Sequence, residues 1–426
     1  MKLRDLAFLL FAAMVSARAA SAAPDLVVHE WGTFTSFQDE KGSAFTGINA
    51  EDEPLPDFCH KIRWSGAVES SDFQSKAASR GHPDITMRLE TPVIYFHPPR
   101  EMKLPLAVNV DVQFRGGWLT QFYPDARVGA EGLSVEQGAF KVEWLANGMT
   151  GTLSWRDLQV GVDREGLATN SHVWTAPRNV QGASVMGATG EAERFVFYRG
   201  VARLNAPIRV VRNQRGTELA LHSQLSAAVA PQMRIEKMWL ADFRDGDVCA
   251  YRRLDPMTLA AQKDAQPNEK SAAPGTTTDA TFQPDEYAPV KKLRDEMKAG
   301  LVEDGLFADE AEALLSTWEL SYFKSGGTRL FFLVPRAWTD HYLPLKISVP
   351  SQMVRTMVGR IEIVTPQQRD LLKRIAATSD SAEQLQCYKK MGRFKEVLLS
   401  RELSRGSEEI TKFVFKNQIN LRGRAE

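Results

Sequence analysis

Three short runs constrain this chain more than anything else in it: Pro92-Val93-Ile94-Tyr95-Phe96, Phe195-Val196-Phe197-Tyr198 and Leu330-Phe331-Phe332-Leu333-Val334. Each is β-branched or aromatic, and none alternates with polar residues. A strand with one wet face alternates with period two, so runs like these predict strands covered on both faces. The third run lies beyond a region of helical pattern. The C-terminal half is therefore expected to dock back on the sheet and not to hang off as a separate bead.

Elsewhere in the first 260 residues the pattern is that of short antiparallel strands. Leu106 to Phe114 alternates apolar and polar, Arg115-Gly116-Gly117 turns the chain into Trp118 to Tyr123, and Pro124-Asp125 stops it. Asn147-Gly148 is a hairpin signal between Phe140 to Trp144 and Thr152 to Trp155. Further strands are expected at Ile208 to Val211, Glu218 to His222 and Ile235 to Leu240. Together these predict an α+β protein with an antiparallel β-sandwich-like region over residues 23–261.

Residues 262–286 are rich in Gln, Asn, Asp, Ser, Pro, Gly and Thr, and read as a linker or disordered insertion. Residues 287–426 read as mainly helical, with strands near 328–347. Val290, Leu293, Met297 and Leu301 share one helix face, with Pro289 at its start. A second helix is expected to start with Asp309 as its N-cap and to bury Ala311, Leu314, Leu315, Trp318 and Tyr322. On that reading Glu310, Glu312 and Glu319 lie mostly on the solvated face. From Pro366 onward the helical pattern carries a net charge of +5, which marks either a solvated face or a surface for anionic polymers.

The first 22 residues combine a basic start at Lys2 and Arg4, an apolar core from Leu6 to Val15 and an Ala20-Ser21-Ala22 cleavage pattern. This is the signature of a secretory leader, too short to span a membrane, and it predicts a periplasmic or secreted protein. Its removal takes three of the 53 basic and one of the 53 acidic residues, leaving a net charge of −2. Such a balance is not built for nucleic acid. No later stretch is long and apolar enough for a transmembrane segment. In an oxidising compartment two of the three cysteines, Cys59, Cys249 and Cys387, can pair. Cys59 with Cys249 is the preferred bridge, since both lie in the β-rich part.

The chain has no G-x-S-x-G, H-E-x-x-H, P-loop or C-x-x-C motif, which lowers the expectation of the common hydrolases, zincins, nucleotide enzymes and thiol oxidoreductases. Two polar clusters remain. His29-Glu30-Trp31 sits where a strand is expected, so His29 and Glu30 point to opposite faces unless a bulge intervenes. Either one serves as a metal ligand or general base with Trp31 shaping a pocket, or both satisfy buried backbone while Trp31 fills core. Trp338-Thr339-Asp340-His341-Tyr342 reads as a loop after the third buried strand, with Asp340 orienting His341 or capping backbone amides. Candidate catalytic residues are thus Glu30, Asp340 and His341, and candidate metal ligands His29 and His341. Among seven histidines none is spaced as in a local zinc motif, and Cys59-His60 is too short a chelate. Trp31, Trp118, Trp174 and Trp338 are candidate binding aromatics.

The octapeptide His29-Glu30-Trp31-Gly32-Thr33-Phe34-Thr35-Ser36 resembles the opening of a family of exported bacterial proteins. The likeness continues through Leu89-Glu90-Thr91-Pro92-Val93-Ile94-Tyr95-Phe96, Phe195-Val196-Phe197-Tyr198-Arg199-Gly200 and Trp338-Thr339-Asp340. The resemblance implies export and one shared architecture, and supplies no catalytic residues to carry over. Two functions follow as expectations. The first is a soluble binding or scaffolding protein of the bacterial envelope, with an envelope polysaccharide or protein as partner. The second is a hydrolase or metal-dependent enzyme whose site joins His29 and Glu30 to Asp340 and His341.

Overall fold

The computed structural model describes residues 25–49, 54–62, 74–75, 78–79, 81–130, 135–136, 139–140, 148–244, 247–262 and 275–419. The expected leader, the first part of the expected linker and most of the hairpin around Asn147 lie outside these residues.

The strand Leu26–Gln38 is the axis of the molecule. Twelve of its thirteen residues are buried, as only an interior strand can be. On one side it pairs antiparallel with Met87–His97. On the other it pairs in parallel with Ser351–Ile363, from Leu26 opposite Ser351 to Gln38 opposite Ile363. Gly32 is required there. The partner strand bulges at Thr91-Pro92, and a Cβ on Gly32 would come within 3.0 Å of the Pro92 Cα and 3.2 Å of the Met357 sulfur. Proline is tolerated in this central strand because it sits at that bulge.

Around this axis the described residues form one mixed sheet of sixteen strands. From the centre it runs through Met87–His97, Val196–Ala202 and Gly117–Tyr123 to one side, and through Ser351–Ile363, Gly327–Leu333, Met238–Arg244 and Val248–Leu254 to the other. All three non-alternating runs occupy interior strands, and their apolar side chains are buried. The chain is α+β. Among the described residues the sheet is not completed within residues 23–261, because two strands from beyond residue 326 hydrogen-bond into its middle. Part of the expected linker is also structured: Thr276–Asp279 adds a strand to Glu218–Ser223.

Most of the helices cover one face. Lys291–Glu303 buries Leu293, Met297 and Leu301 as its periodicity predicts. The next helix, Ala308–Thr317, begins two residues earlier than expected, with Phe307 and not Asp309 as N-cap. Asp309 instead accepts the Gln181 amide at 2.8 Å and ties the helix start to a distant loop. Among the described residues four helices follow Thr365, the first of them capped by the Thr365 hydroxyl accepting from the Gln368 amide. Among the described residues no helix is long and apolar enough to cross a membrane. The expected Cys59–Cys249 bridge is not formed; all three cysteines are buried and free. Cys59 precedes a short strand on Gly117–Tyr123, and Cys249 lies seven strands further along the sheet. That is roughly 30 Å at about 4.8 Å per strand, far beyond the span of a disulfide.

The helical face also carries a buried ionic group. The Glu362 carboxylate accepts from Arg329 at 2.6 Å and from Arg360 at 2.5 Å, and both guanidiniums are inaccessible to solvent. Burial works against the Glu362 charge, but the two arginines prevail and hold its pKa below 4.5. A depressed carboxylate contributes stability above its unfolded pKa and loses it as pH falls through the folded value. Glu362→Gln leaves two buried cations uncompensated and should cost roughly 3–5 kcal/mol at pH 7. Denaturant unfolding should show this gap from wild type narrowing once the pH drops below 4.5; equal stability of the two proteins at pH 7 would refute it.

Candidate metal centre

Because the first strand has regular geometry at residues 29 and 30, His29 faces the helices and Glu30 the opposite side of the sheet. Each meets a separate set of partners. The His29 Nδ1 lies 2.6 Å from the Glu310 Oε2, and the His97 Nε2 lies 3.0 Å from the Glu310 Oε1. One ligand atom from each of the three residues lies within 4.8 Å of the other two. The neighbouring strand brings His97 there, since Tyr95 pairs with His29 and His97 projects on the same face two residues on.

Glu310 comes from the third position of the helix Ala308–Thr317, and its Oε2 also accepts the Phe307 amide at 2.8 Å. This reciprocal cap fixes the carboxylate against the helix end. The side chain is fully buried, which corrects the expectation that Glu310 is solvated. Burial raises its pKa, yet the bonds from His29 and His97 outweigh that and keep it below the ordinary value. Phe307 lies over both imidazoles, with ring centroids 4.5 Å from His29 and 4.8 Å from His97. Phe307 is 47% exposed, while the His97 side chain is 13% exposed. The cluster thus lies just beneath the surface, under one aromatic side chain.

Two imidazole nitrogens and a carboxylate form a donor set suited to zinc and to other borderline divalent transition metals. With bonds of about 2.0–2.2 Å, the ligand atoms need to separate only a little to surround an ion. Three protein ligands leave a further coordination position, as catalytic centres do.

On the other face, Glu30 is held by Arg355 at 2.5 Å and accepts a hydrogen bond from the Tyr198 hydroxyl. Arg355 also donates to Asp340 at 2.7 Å and to the Leu343 carbonyl at 2.6 Å. Burial opposes the Arg355 charge, but Glu30 more than restores it and raises the pKa. Burial, helped by the Glu30 charge, pushes the Tyr198 hydroxyl well up. Glu30 and Asp340 therefore do meet, through one guanidinium, with all the chemistry of a structural ion pair.

His341 stays apart from this group. The expected loop is a helix, Arg336–Tyr342, reinforced by Arg336 gripping Asp340 one turn on. Asp340 is thereby committed to two arginines and does not orient His341, whose ring packs edge-on with Tyr342 at 4.7 Å between centroids. Burial, and then the Arg115 charge, lower the His341 pKa. The site expected to join His29 to Asp340 and His341 is divided by the sheet, with Glu30 and Asp340 on one side and His29 on the other.

Trp31, Trp118, Trp174 and Trp338 are all buried and present no face to solvent. Trp174 donates its indole N–H to Glu193 at 2.7 Å, and Trp338 packs edge-on against Phe34. At Cys59-His60 the thiol is pushed up to about 12 by burial, while the imidazole binds Glu191 at 2.8 Å. A protonated thiol is a poor zinc ligand.

His97 and Glu310 escaped the sequence reading. His97 ends a hydrophobic strand, and nothing short of the strand register points it at His29. Glu310 stands three residues after Phe307, without the Ser or Thr that would flag a reciprocal cap.

If Glu30 and Arg355 are a structural pair, Arg355→Met should cost roughly 3–5 kcal/mol by leaving the carboxylate buried and unpaired. The double variant Glu30→Leu, Arg355→Met should recover most of that loss. Asp340→Asn, at an exposed position, should cost no more than about 1 kcal/mol. Urea unfolding of the set checks the cycle; additive losses from Glu30→Leu and Arg355→Met would contradict the pairing.

No family model matches the chain, and no curated protein matches it. Among solved structures, the Fcho1 Mu homology domain of Danio rerio with bound Eps15 peptide is similar over 80% of this chain and 96% of its own. That similarity has 9% identity and a TM-score of 0.25, too loose to carry an argument about this chain.

Proposed function

We propose that the protein is a metal-dependent enzyme whose centre is a divalent transition metal held by His29, His97 and Glu310. The observation that carries this reading is the convergence of two imidazoles and one carboxylate from three distant parts of the chain. The charge balance also favours it. Glu310 is buried and kept ionised, and the ligand set brings one negative charge to a divalent cation. A metal bound this way lowers the pKa of a coordinated water and supplies a nucleophile near neutral pH, which suits hydrolysis. Phe307, partly exposed, lies over the cluster and covers it on one side. The leader expected in the first 22 residues would place this chemistry in the periplasm or outside the cell. Burial of the candidate aromatics removes the main support for glycan recognition, so the enzyme reading is preferred to the scaffold.

Protein stripped with chelator and dialysed against Zn²⁺, Co²⁺, Mn²⁺ or Fe²⁺ should retain one ion per chain by elemental analysis. His97→Ala and Glu310→Gln should each weaken retention by on the order of 100-fold or more, since even outer-sphere changes cost 10–100-fold. His341→Ala should retain metal like wild type. The reading fails if wild type takes up none of the four ions, or if the His97 and Glu310 variants bind them unchanged.

A further inference from the structure

The helical pattern after Pro366 has an excess of positive charge, and the fold directs part of it into a cleft. This cleft, about 800 Å³, lies between the ends of Met238–Arg244 and Gly327–Leu333 and the helices Pro366–Ala377, Ser381–Lys389 and Lys395–Ser404. It is well separated from His29. Gln38 lies nine residues beyond His29 on the first strand, roughly 30 Å at about 3.3 Å per residue, and its carbonyl accepts from the Val364 amide at the cleft end.

Six cationic side chains line the cleft: Arg244, Lys324, Lys389, Lys390, Arg393 and Lys395. Asp242 is the one acid among the described lining residues, and its oxygens are occupied. It accepts from Thr328 at 2.7 Å and from Tyr287 at 2.5 Å. Lys324 is balanced at the rim by Asp247 and Glu319. Lys389 and Lys390 are exposed, and no acidic side chain of the described residues pairs with either.

The protein beneath adds to the same field. Arg393, 7% exposed, is 3.6 Å from Glu90, which also pairs with the buried Arg88 at 3.4 Å. Next to them Arg329 and Arg360 share the single carboxylate of Glu362. Four guanidiniums thus face two carboxylates in a region of low dielectric, where charge is poorly screened. The first turn of Pro366–Ala377 also lines the cleft and presents the positive end of its helix dipole.

Six cations against one acid in the lining, and four guanidiniums against two carboxylates beneath it, leave the cleft net positive. The volume matches a small-molecule site and exceeds what one inorganic ion needs. The wall is not wholly polar: Leu320, 52% exposed, offers apolar surface beside the cations. We infer that this cleft binds a phosphate-bearing small molecule, its phosphate held by Lys389, Lys390 and Arg393 and its remaining part resting on Leu320. The phosphate belongs either to a free ester or to a lipid headgroup. The inference does not depend on metal at His29.

Isothermal titration of the full chain with inorganic pyrophosphate and with glycerol phosphate tests the free ester. Co-sedimentation with phosphatidylglycerol vesicles, against phosphatidylcholine vesicles, tests the headgroup. Binding should weaken as salt is raised. Lys389→Glu with Lys390→Glu, both on the surface, should reduce affinity at least on the order of tenfold, the loss of one charge-assisted contact or more. Lys412→Glu, on the last helix and outside the cleft, should leave it unchanged. Binding of a free ester or selective capture by phosphatidylglycerol, lost in the first variant and kept in the second, supports the site and names the source. Failure of all the probes, or equal weakening by both variants, overturns it.

Discussion

The parallel pairing of Leu26–Gln38 with Ser351–Ile363 is the interaction on which the rest of this structure depends. Parallel strands need a crossover, and here the crossover is most of the protein, from residue 39 to residue 350. The pair supplies the centre of the sheet, so neither half of the chain can complete its core without the other. Each apolar run singled out from the sequence lies within four strands of this pair. The pairing also sets the chemistry. One register places Glu30 opposite Arg355 and His29 opposite Val354, and so determines which polar side chain finds a counter-charge and which faces the helices.

A sheet this deeply buried pays for its polar residues by pairing them. Glu30 with Arg355, and Glu362 with Arg329 and Arg360, are charges on interior strands that only tight ion pairs make tolerable. Such pairs are poor sources of net stability but severe constraints on alternatives, because a slipped register would leave each of them bare. His29, His97 and Glu310 differ in kind. Their net charge is open to a cation, they lie just beneath the surface, and a capped helix end fixes their carboxylate. The contrast between a closed ion pair and an open ligand set, on opposite faces of one strand, is what separates structural polarity from candidate function here.

Local pattern was a sound guide wherever burial is decided by neighbours in sequence. The interior strands, the helix faces of Leu293, Met297 and Leu301, and the alternation of His29 and Glu30 across the first strand all follow from side-chain periodicity. Pattern misled where tertiary contact overrides it. Glu310 sits on what looks like a solvated helix face, yet two histidines and a backbone amide draw it inside. Asp340 and His341 look like an acid–base pair, yet Arg336 and Arg355 take the carboxylate and wind the segment into helix. The tryptophans flanking turns look available for a ligand, yet the sheet is wide enough to cover them all.

The sequence by itself determined that strands at 92–96, 195–198 and 330–334 are expected to be interior, that the C-terminal half is expected to dock on the sheet, and that His29 and Glu30 point to opposite faces unless a bulge intervenes. These are consequences of spacing, and spacing is a property of the chain alone. Only the tertiary structure decided the partners. Which carboxylate meets His29, which cation neutralises Glu30, and how the lysines after Pro366 gather around one cleft depend on strand register and helix docking. Those are set by contacts between residues up to hundreds of positions apart, and no local pattern records them.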